Sequence, residues 1–389
     1  MQTRISLKKN KERPILQRHH WIYSGAVASV PAYTDGDIAE VYSAGGAKLG
    51  IAVLANGRSI LGHMLAFGNE TLEESLSTRI KEAVALRQKW FDPAVTNGVR
   101  IINAEGDGIP GLIVDAYADV LVIQISNAGI DRLKSLIINS LIQELKPRAI
   151  YEKSTSFMRR KEGLSEVREL LYGEAVAEVE IIEKGLRVVV DVVEGQKTGL
   201  FLDQREMRAL VRELSPNRRV LNCFAYTGGF SVAALAGGAT HVDSVESSAK
   251  CKPRVEKNIE VNNLPQDKHQ FVQADVFDFL KTTTWDYDLI ILDPPAFVKK
   301  RQDIDKAFRA YKDLNKHTMQ NMKPGSLLLT CSCSYHVEES LFQNIIFRAA
   351  LEAGRKVRII ERHRQAHDHP ISIFHPESSY LKSLLLYVE

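Results

Sequence analysis

From about residue 186 onward, short apolar runs alternate with helical patterns, and this alternation limits the possible folds more than any other feature of the chain. Strands are predicted at 219–222, 241–245, 269–272, 289–292 and 326–330, with helices between them, for example over 230–236 and 252–262. Strands separated by helix-length crossovers pair in parallel, and such crossovers are right-handed. The reading is an α/β Rossmann-like sheet covered on both faces. Two further strands, around 357–361 and 380–388, are joined by a stretch without a helical pattern. They predict an antiparallel hairpin at the edge of that sheet.

The preceding residues read differently. Up to about residue 66, Gly and Pro punctuate short strands at 38–42, 48–53 and 59–64, which points to a small β-barrel. Thr71 followed by Glu74 is a capping box, and the helix it opens runs to Trp90. Strands at 99–102, 112–114, 120–125 and 149–151, with a helix over 130–145, make the middle block α+β. The expected domains are therefore 1–66, 67–185 and 186–389, a division that 389 residues readily support.

Composition excludes some classes. With 44% hydrophobic and 25% charged residues the chain is not disordered, and no apolar run approaches the ~20 residues of a membrane span. The first ten residues lack a secretory h-region, and four cysteines in so long a chain make no disulfide framework, so a cytoplasmic setting is expected. The net charge of +3 is uninformative, but residues 1–30 carry Arg4, Lys8, Lys9, Lys11, Arg13 and Arg18 against Glu12 alone. Such a patch attracts phosphate, although basic termini also serve as solubilising tails.

The residues with chemical potential sit at the carboxyl ends of the predicted parallel strands. The first strand runs into Phe224, Ala225, Tyr226, Thr227, Gly228 and Gly229, where small residues admit a ligand close to the backbone. The second ends in Glu246 and Ser247, an acid placed for ribose hydroxyls. The third is followed by Asp275 and Val276, a carboxylate within reach of an adenine amino group. Each alone is common turn chemistry, whereas three on consecutive strands converge on one crevice. A G-x-G-x-x-G phosphate cradle is absent, which favours S-adenosylmethionine over a pyrophosphate cofactor. The fourth strand ends in Asp293-Pro294-Pro295-Ala296-Phe297, similar to motif IV of methyltransferases acting on planar amines and bases, with an aromatic to stack on an exposed base. The fifth ends in Thr330-Cys331-Ser332-Cys333-Ser334, whose two cysteines would share a face of an extended segment. Buried cysteines mostly act as small apolar residues. One at the mouth of this crevice, a strand away from Asp293, is where cytosine C5 methylation needs its nucleophile, because C5 is inert until a thiolate adds to C6. Lys299, Lys300 and Arg301 either hold phosphate or form a solvated loop. His363, His367, His369 and His375 fit no zinc spacing and read as structural, so no metal is expected.

In these residues the chain resembles the large-subunit (23S) rRNA cytosine-C5 methyltransferase family, class I S-adenosylmethionine enzymes with an N-terminal PUA domain. The resemblance rests on the runs at 18–26, 103–112, 195–205, 293–297, 332–334 and 368–370, and spans nearly the whole chain. It implies that Cys333 is the nucleophile, and that Asp293, protonated, holds the N3 edge of the cytosine with Phe297 beside it. Gly228, Glu246 and Asp275 would bind the methyl donor, together with residues 224–227, Ser247 and Val276, while Gln204 and Arg205 close over it. Arg18, Lys299 and Lys300 would contact rRNA. The two-cysteine subgroup has its second Cys inside motif IV; Pro295 and Ala296 leave none there, so a base or water takes the C5 proton. Two rivals stand beside this reading: a guanine or adenine N-methyltransferase, and a non-catalytic rRNA-binding assembly factor. The target nucleotide, the form of the rRNA substrate and homodimerisation are left open by the sequence.

Overall fold

The computed structural model describes residues 3–55, 59–281, 285–298 and 301–389. The chain forms two compact units. The first comprises Met1–Gly185, Val190–Leu202 and His367–Ser378; the second comprises Leu186–Val189, Asp203–Ala366 and Ser379–Glu389. Among the described residues, no helix is long and apolar enough to cross a membrane.

The first unit opens with β1 (Thr3–Leu7), β2 (Trp21–Tyr23), β3 (Val27–Ser29), β4 (Ile38–Tyr42), β5 (Lys48–Leu54) and β6 (Ile60–Phe67) in one sheet of order β2-β6-β5-β4-β1-β3. Ile5, Leu7, Val41, Leu54 and Met64 fill its interior. The predicted strands correspond to β4, β5 and β6; β2 and β3, at three residues each, are too short to display an alternation. The helix Leu72–Trp90 begins where its capping box requires: Thr71 Oγ1 accepts the Glu74 N–H at 3.3 Å and the Glu74 carboxylate accepts the Thr71 N–H at 3.2 Å.

A second sheet follows, of β7 (Gly98–Asn103), β8 (Leu112–Tyr117), β9 (Val120–Ile125), β10 (Ala149–Ser154) and β11 (Val167–Gly173), in the order β11-β10-β9-β8-β7. The helix predicted over 130–145 is broken at Leu133 into Ala128–Arg132 and Lys134–Leu145. Distant chain segments complete this unit. Asp368 Oδ2 accepts the Arg100 N–H at 2.8 Å, and its backbone carbonyl accepts from Arg87 Nη2 at 2.8 Å. Thr198 Oγ1 donates to Asp115 Oδ2 at 2.6 Å, and Arg100 grips both oxygens of the same fully buried carboxylate. A buried acid so enclosed stays paired, which is how segments 190–202 and 367–378 are held.

The strands β12 (Glu178–Glu183) and β13 (Leu186–Asp191) precede the second unit's main sheet. That sheet contains β14 (Arg219–Cys223), β15 (His241–Glu246), β16 (His269–Gln273), β17 (Leu289–Leu292), β18 (Ser326–Ser332), β19 (Val357–His363) and β20 (Lys382–Val388), in the order β16-β15-β14-β17-β18-β20-β19. The first five are parallel; β20 is antiparallel to both β18 and β19 and lies between them. Both faces are covered. Val220, Val242, Ile291 and Leu329 pack with Val211, Phe230 and Val255 on one side, while Leu221, Val245, Ile290 and Leu328 pack with Tyr311, Leu314, Phe342 and Ile345 on the other. Alternate residues of each strand thus serve opposite layers, as a doubly covered sheet requires.

Candidate active site

Beyond the carboxyl end of β14 the backbone is strained. Phe224, Tyr226 and Gly228 have φ of 61°, 49° and 77°, and two of the three carry a Cβ. Left-handed non-glycine residues cost of order 1–3 kcal/mol each and persist only where their surroundings hold them. Here the Ala225 N–H donates to Val245 O (3.2 Å), the Gly228 N–H to Ala225 O (2.8 Å) and Asn258 Nδ2 to Thr227 O (2.9 Å). A Cβ on Gly228 would stand 2.8 Å from Val255 Cγ1, so only glycine fits this turn.

The Tyr226 N–H donates to Glu246 Oε2 at 3.1 Å. Glu246 Oε1 accepts from the Ser248 N–H at 3.0 Å and the Ser247 hydroxyl at 3.2 Å, so the carboxylate at the end of β15 is fixed from two sides. Asp275, after β16, is exposed and N-caps Val276–Phe279 through Oδ1, which accepts the Asp278 N–H at 3.2 Å. A glycine that admits no Cβ, an oriented carboxylate on the next strand and an exposed one after the third thus stand at the carboxyl ends of three neighbouring strands. Acids at the ends of neighbouring parallel strands are the groups that bind the hydroxyls of a nucleoside in such sheets.

Across β17 and β18 the other half of the site is assembled. Gln204, buried in the turn Leu202–Gln204, donates through Nε2 to Asp293 Oδ1 at 2.7 Å. Arg205 follows as the first residue of the helix Arg205–Leu214, fully buried. The two cysteines do not share a strand face as expected. Cys331 lies inside β18 in the sheet core, and burial raises its thiol well above the usual range, with Asp293 adding to the effect. Cys333 lies past the strand end, where the two-residue repeat no longer applies. It is the half-buried one of the four cysteines, and its Sγ donates to Pro294 O at 3.8 Å. Phe297 packs its ring 4.6 Å from Tyr311 and 5.8 Å from Phe277. The Tyr311 hydroxyl meets Ser334 Oγ at 2.9 Å; burial and the neighbouring Cys333 push it up to about 12, so it stays protonated.

Lys299 and Lys300 lie outside the described residues. Arg18, in the first unit, is exposed, with its guanidinium 5.1 Å from the Phe67 ring centroid. One residue next to Cys333 escaped the sequence reading: Lys382, in β20, whose Nζ donates at 2.7 Å to both Ser334 O and Tyr380 O. Its only sequence signal is a lone cation in the apolar run from Leu381 to Leu386.

The late histidines serve packing in several ways. His367 stacks on Trp90 at 4.9 Å, His369 Nδ1 contacts Asp368 Oδ1 at 2.9 Å, and His363, within β19, lies 2.8 Å from Glu361. His375 approaches His19 and Glu377. The Trp21 N–H donates to His19 Nδ1 at 3.2 Å, which places the ring proton on Nε2, facing Glu377 at 3.5 Å. Burial pulls His20 down to about 3 and His375 down to about 4 from 6.5. Between those values the unfolded chain binds more protons, so the stability these neutral rings contribute is complete above pH 6.5 and lost as pH falls toward 4. The urea midpoint of the protein is therefore expected to be lower at pH 5 than at pH 7.5; an unchanged or higher midpoint would contradict it.

The fold, together with the family it matches, is that of an α/β methyltransferase whose methyl donor is S-adenosylmethionine. Residues 154–385 match the S-adenosylmethionine-dependent methyltransferase family and residues 5–67 the PUA-like domain. Proteins named ribosomal RNA large subunit methyltransferase I are similar over nearly their whole length. That of Pseudoalteromonas atlantica is 39% identical over 391 residues, and that of Aeromonas hydrophila 40% identical over 394, each alignment covering 99% of both chains. The chain belongs to this family. A solved protein from Streptococcus mutans shares the fold, with a TM-score of 0.85 and 24% identity over 98% of this chain and 99% of that one.

Proposed function

We propose that the protein transfers a methyl group from S-adenosylmethionine to C5 of a cytosine in large-subunit ribosomal RNA through a Cys333–C6 adduct. The observation that carries this reading is the half-buried Cys333 Sγ beside the Pro294 carbonyl, next to Asp293 at the strand ends. The names of the relatives supply the RNA class.

The Cys333 thiolate adds to C6, and the electron pair displaced from the C5–C6 bond is accommodated by a proton that Asp293 gives to N3. Gln204, bonded to Oδ1, orients that carboxyl. S-adenosylmethionine supplies an electrophilic methyl carbon. The enamine C5 takes it, and S-adenosylhomocysteine departs. A base or water then removes the C5 proton; the C5–H electron pair restores C5=C6 and expels the Cys333 thiolate, while N3 returns its proton to Asp293. The target cytosine must be single-stranded or flipped to reach the sulfur. Phe297 offers an aromatic edge beside it, and the PUA-like domain with Arg18, Lys299 and Lys300 provides contacts to the RNA backbone.

Gly228, Glu246 and Asp275 hold the donor, flanked by residues 224–227, Ser247 and Val276, with Gln204 and Arg205 near it. Glu246→Ala is expected to weaken S-adenosylmethionine binding by about 10–100-fold in calorimetric titration, the effect of losing bonds to a charged acceptor. An unchanged affinity would remove Glu246 from the donor site. The reaction itself is tested with labelled donor and bulk ribosomal RNA, the product being digested to nucleosides. The expected product is 5-methylcytidine; a methylated purine would overturn the proposal.

A further inference from the structure

The last pair of the β17–β18 ladder is Leu292 with Thr330. The segments that carry the reacting groups, 293–297 and 333–334, therefore extend beyond the backbone bonds that join these two strands, and other contacts hold them to each other. One bridge runs from Cys333 Sγ to Pro294 O at 3.8 Å, but that bond ends when the sulfur gives up its proton to become a nucleophile. A second bridge is Tyr311, in the helix Ile304–Asn321, which reaches both segments at once. Its ring lies 4.6 Å from that of Phe297, and its hydroxyl meets Ser334 Oγ at 2.9 Å.

Tyr311 is fully buried, and a phenol hydroxyl taken out of water costs free energy unless it is bonded. Packing against Phe297 and against Phe342, 5.8 Å away, needs only the ring; the oxygen serves Ser334. Ser334 is fixed from its other sides too. Its carbonyl accepts from Lys382 Nζ at 2.7 Å and from the Val337 N–H at 3.1 Å, and its own N–H donates to Ser332 Oγ at 3.4 Å. Those bonds tie the turn to its own chain and to β20, whereas the Tyr311 bond ties it to the side chain that supports Phe297. The phenol stays protonated, so it acts by bonding and not by taking a proton. We propose that Tyr311 is a positioning residue for methyl transfer, a strut that holds the turn presenting Cys333 in place against the ring of Phe297, so that sulfur and aromatic meet the same base. The proposal rests on the reading of Cys333 as nucleophile and of Phe297 as the ring beside the cytosine.

The test is single-turnover methyl transfer from labelled S-adenosylmethionine to bulk ribosomal RNA, at saturating RNA and donor. It compares the full-length wild type with Tyr311→Phe, Ser334→Ala and the double variant. Phe keeps the ring beside Phe297 and removes the bond to Ser334. Each single variant is expected to lose about 10–100-fold in rate, the cost of a misplaced reacting group, with the affinities for donor and RNA unchanged. The double variant is expected to be no slower than the slower single one, because both changes remove the same bond. A bond that only stabilised the fold would lower the urea midpoint and leave the rate of the folded protein as it was. Wild-type turnover in folded Tyr311→Phe overturns the proposal, and so does a double variant whose loss is the product of the two single losses. Where Tyr311→Phe fails to fold, wild-type turnover in Ser334→Ala overturns it in the same way. Digestion of the product separates the two readings. Full-rate formation of 5-methylcytidine by Tyr311→Phe overturns the role of Tyr311 alone, whereas a methylated purine from the wild type overturns the cytosine reading and this proposal with it.

Discussion

Cys333→Ala is expected to lower 5-methylcytidine formation in ribosomal RNA by at least ~10³-fold, because the route to a reactive C5 runs through the sulfur and nothing else in the site replaces it. Donor binding is expected to be unaffected, since the residues proposed for it lie around Gly228, Glu246 and Asp275. Cys331→Ala provides the contrast. Its sulfur is fully buried in the sheet core, and burial keeps the thiol protonated, so the change should cost stability through lost packing and leave turnover within a few-fold of wild type. Single-turnover methylation with both variants separates the cases. Full activity in Cys333→Ala would eliminate the thiol adduct and favour methylation at nitrogen, which needs none.

The second large effect concerns Asp293. Asn at this position retains the shape and an oxygen for Gln204 Nε2, but it has no acidic proton to deliver to N3. Asp293→Asn is expected to reduce the rate of methyl transfer by 10²–10⁴-fold, the usual range for losing a positioned acid. Measured as the single-turnover rate at saturating RNA and donor, the loss should appear in the chemical step. A variant that changed only the apparent affinity for RNA would assign Asp293 to binding instead.

Much of this site is legible in the chain because parallel strands place their carboxyl ends together. Apolar runs identify β14, β15, β16, β17 and β18, so the position of Glu246 at the end of β15, and of Gly228, Asp275, Asp293 and Cys333 just beyond their strands, is expected without coordinates. What escapes is whatever depends on dihedral angles or on register between distant strands. Phe224 and Tyr226 give no sign of their left-handed backbone, since neither is glycine. Lys382 reaches the carbonyl of Ser334 across 48 residues of chain, and only the antiparallel placement of β20 between β18 and β19 brings them together. The strand β11 leaves no alternation to read because most of its residues are exposed. The separation of Cys331 from Cys333 turns on where β18 stops, a boundary of one or two residues that propensity does not resolve.

The reach of Asp368 into the first unit has a consequence for how the chain acquires its structure. Arg87 and Arg100 wait for a partner that lies 281 and 268 residues further along. During synthesis, the N-terminal portion must therefore exist for a long interval before Asp368 reaches the Arg87 guanidinium and the Arg100 backbone N–H, and its completion follows the emergence of nearly all the second unit. Contacts of such separation slow folding and lengthen exposure to misassembly. A fragment ending at Gly185 would lack Asp368 altogether, so its weak RNA binding or ready proteolysis would reveal an unfinished fold before it revealed anything about recognition.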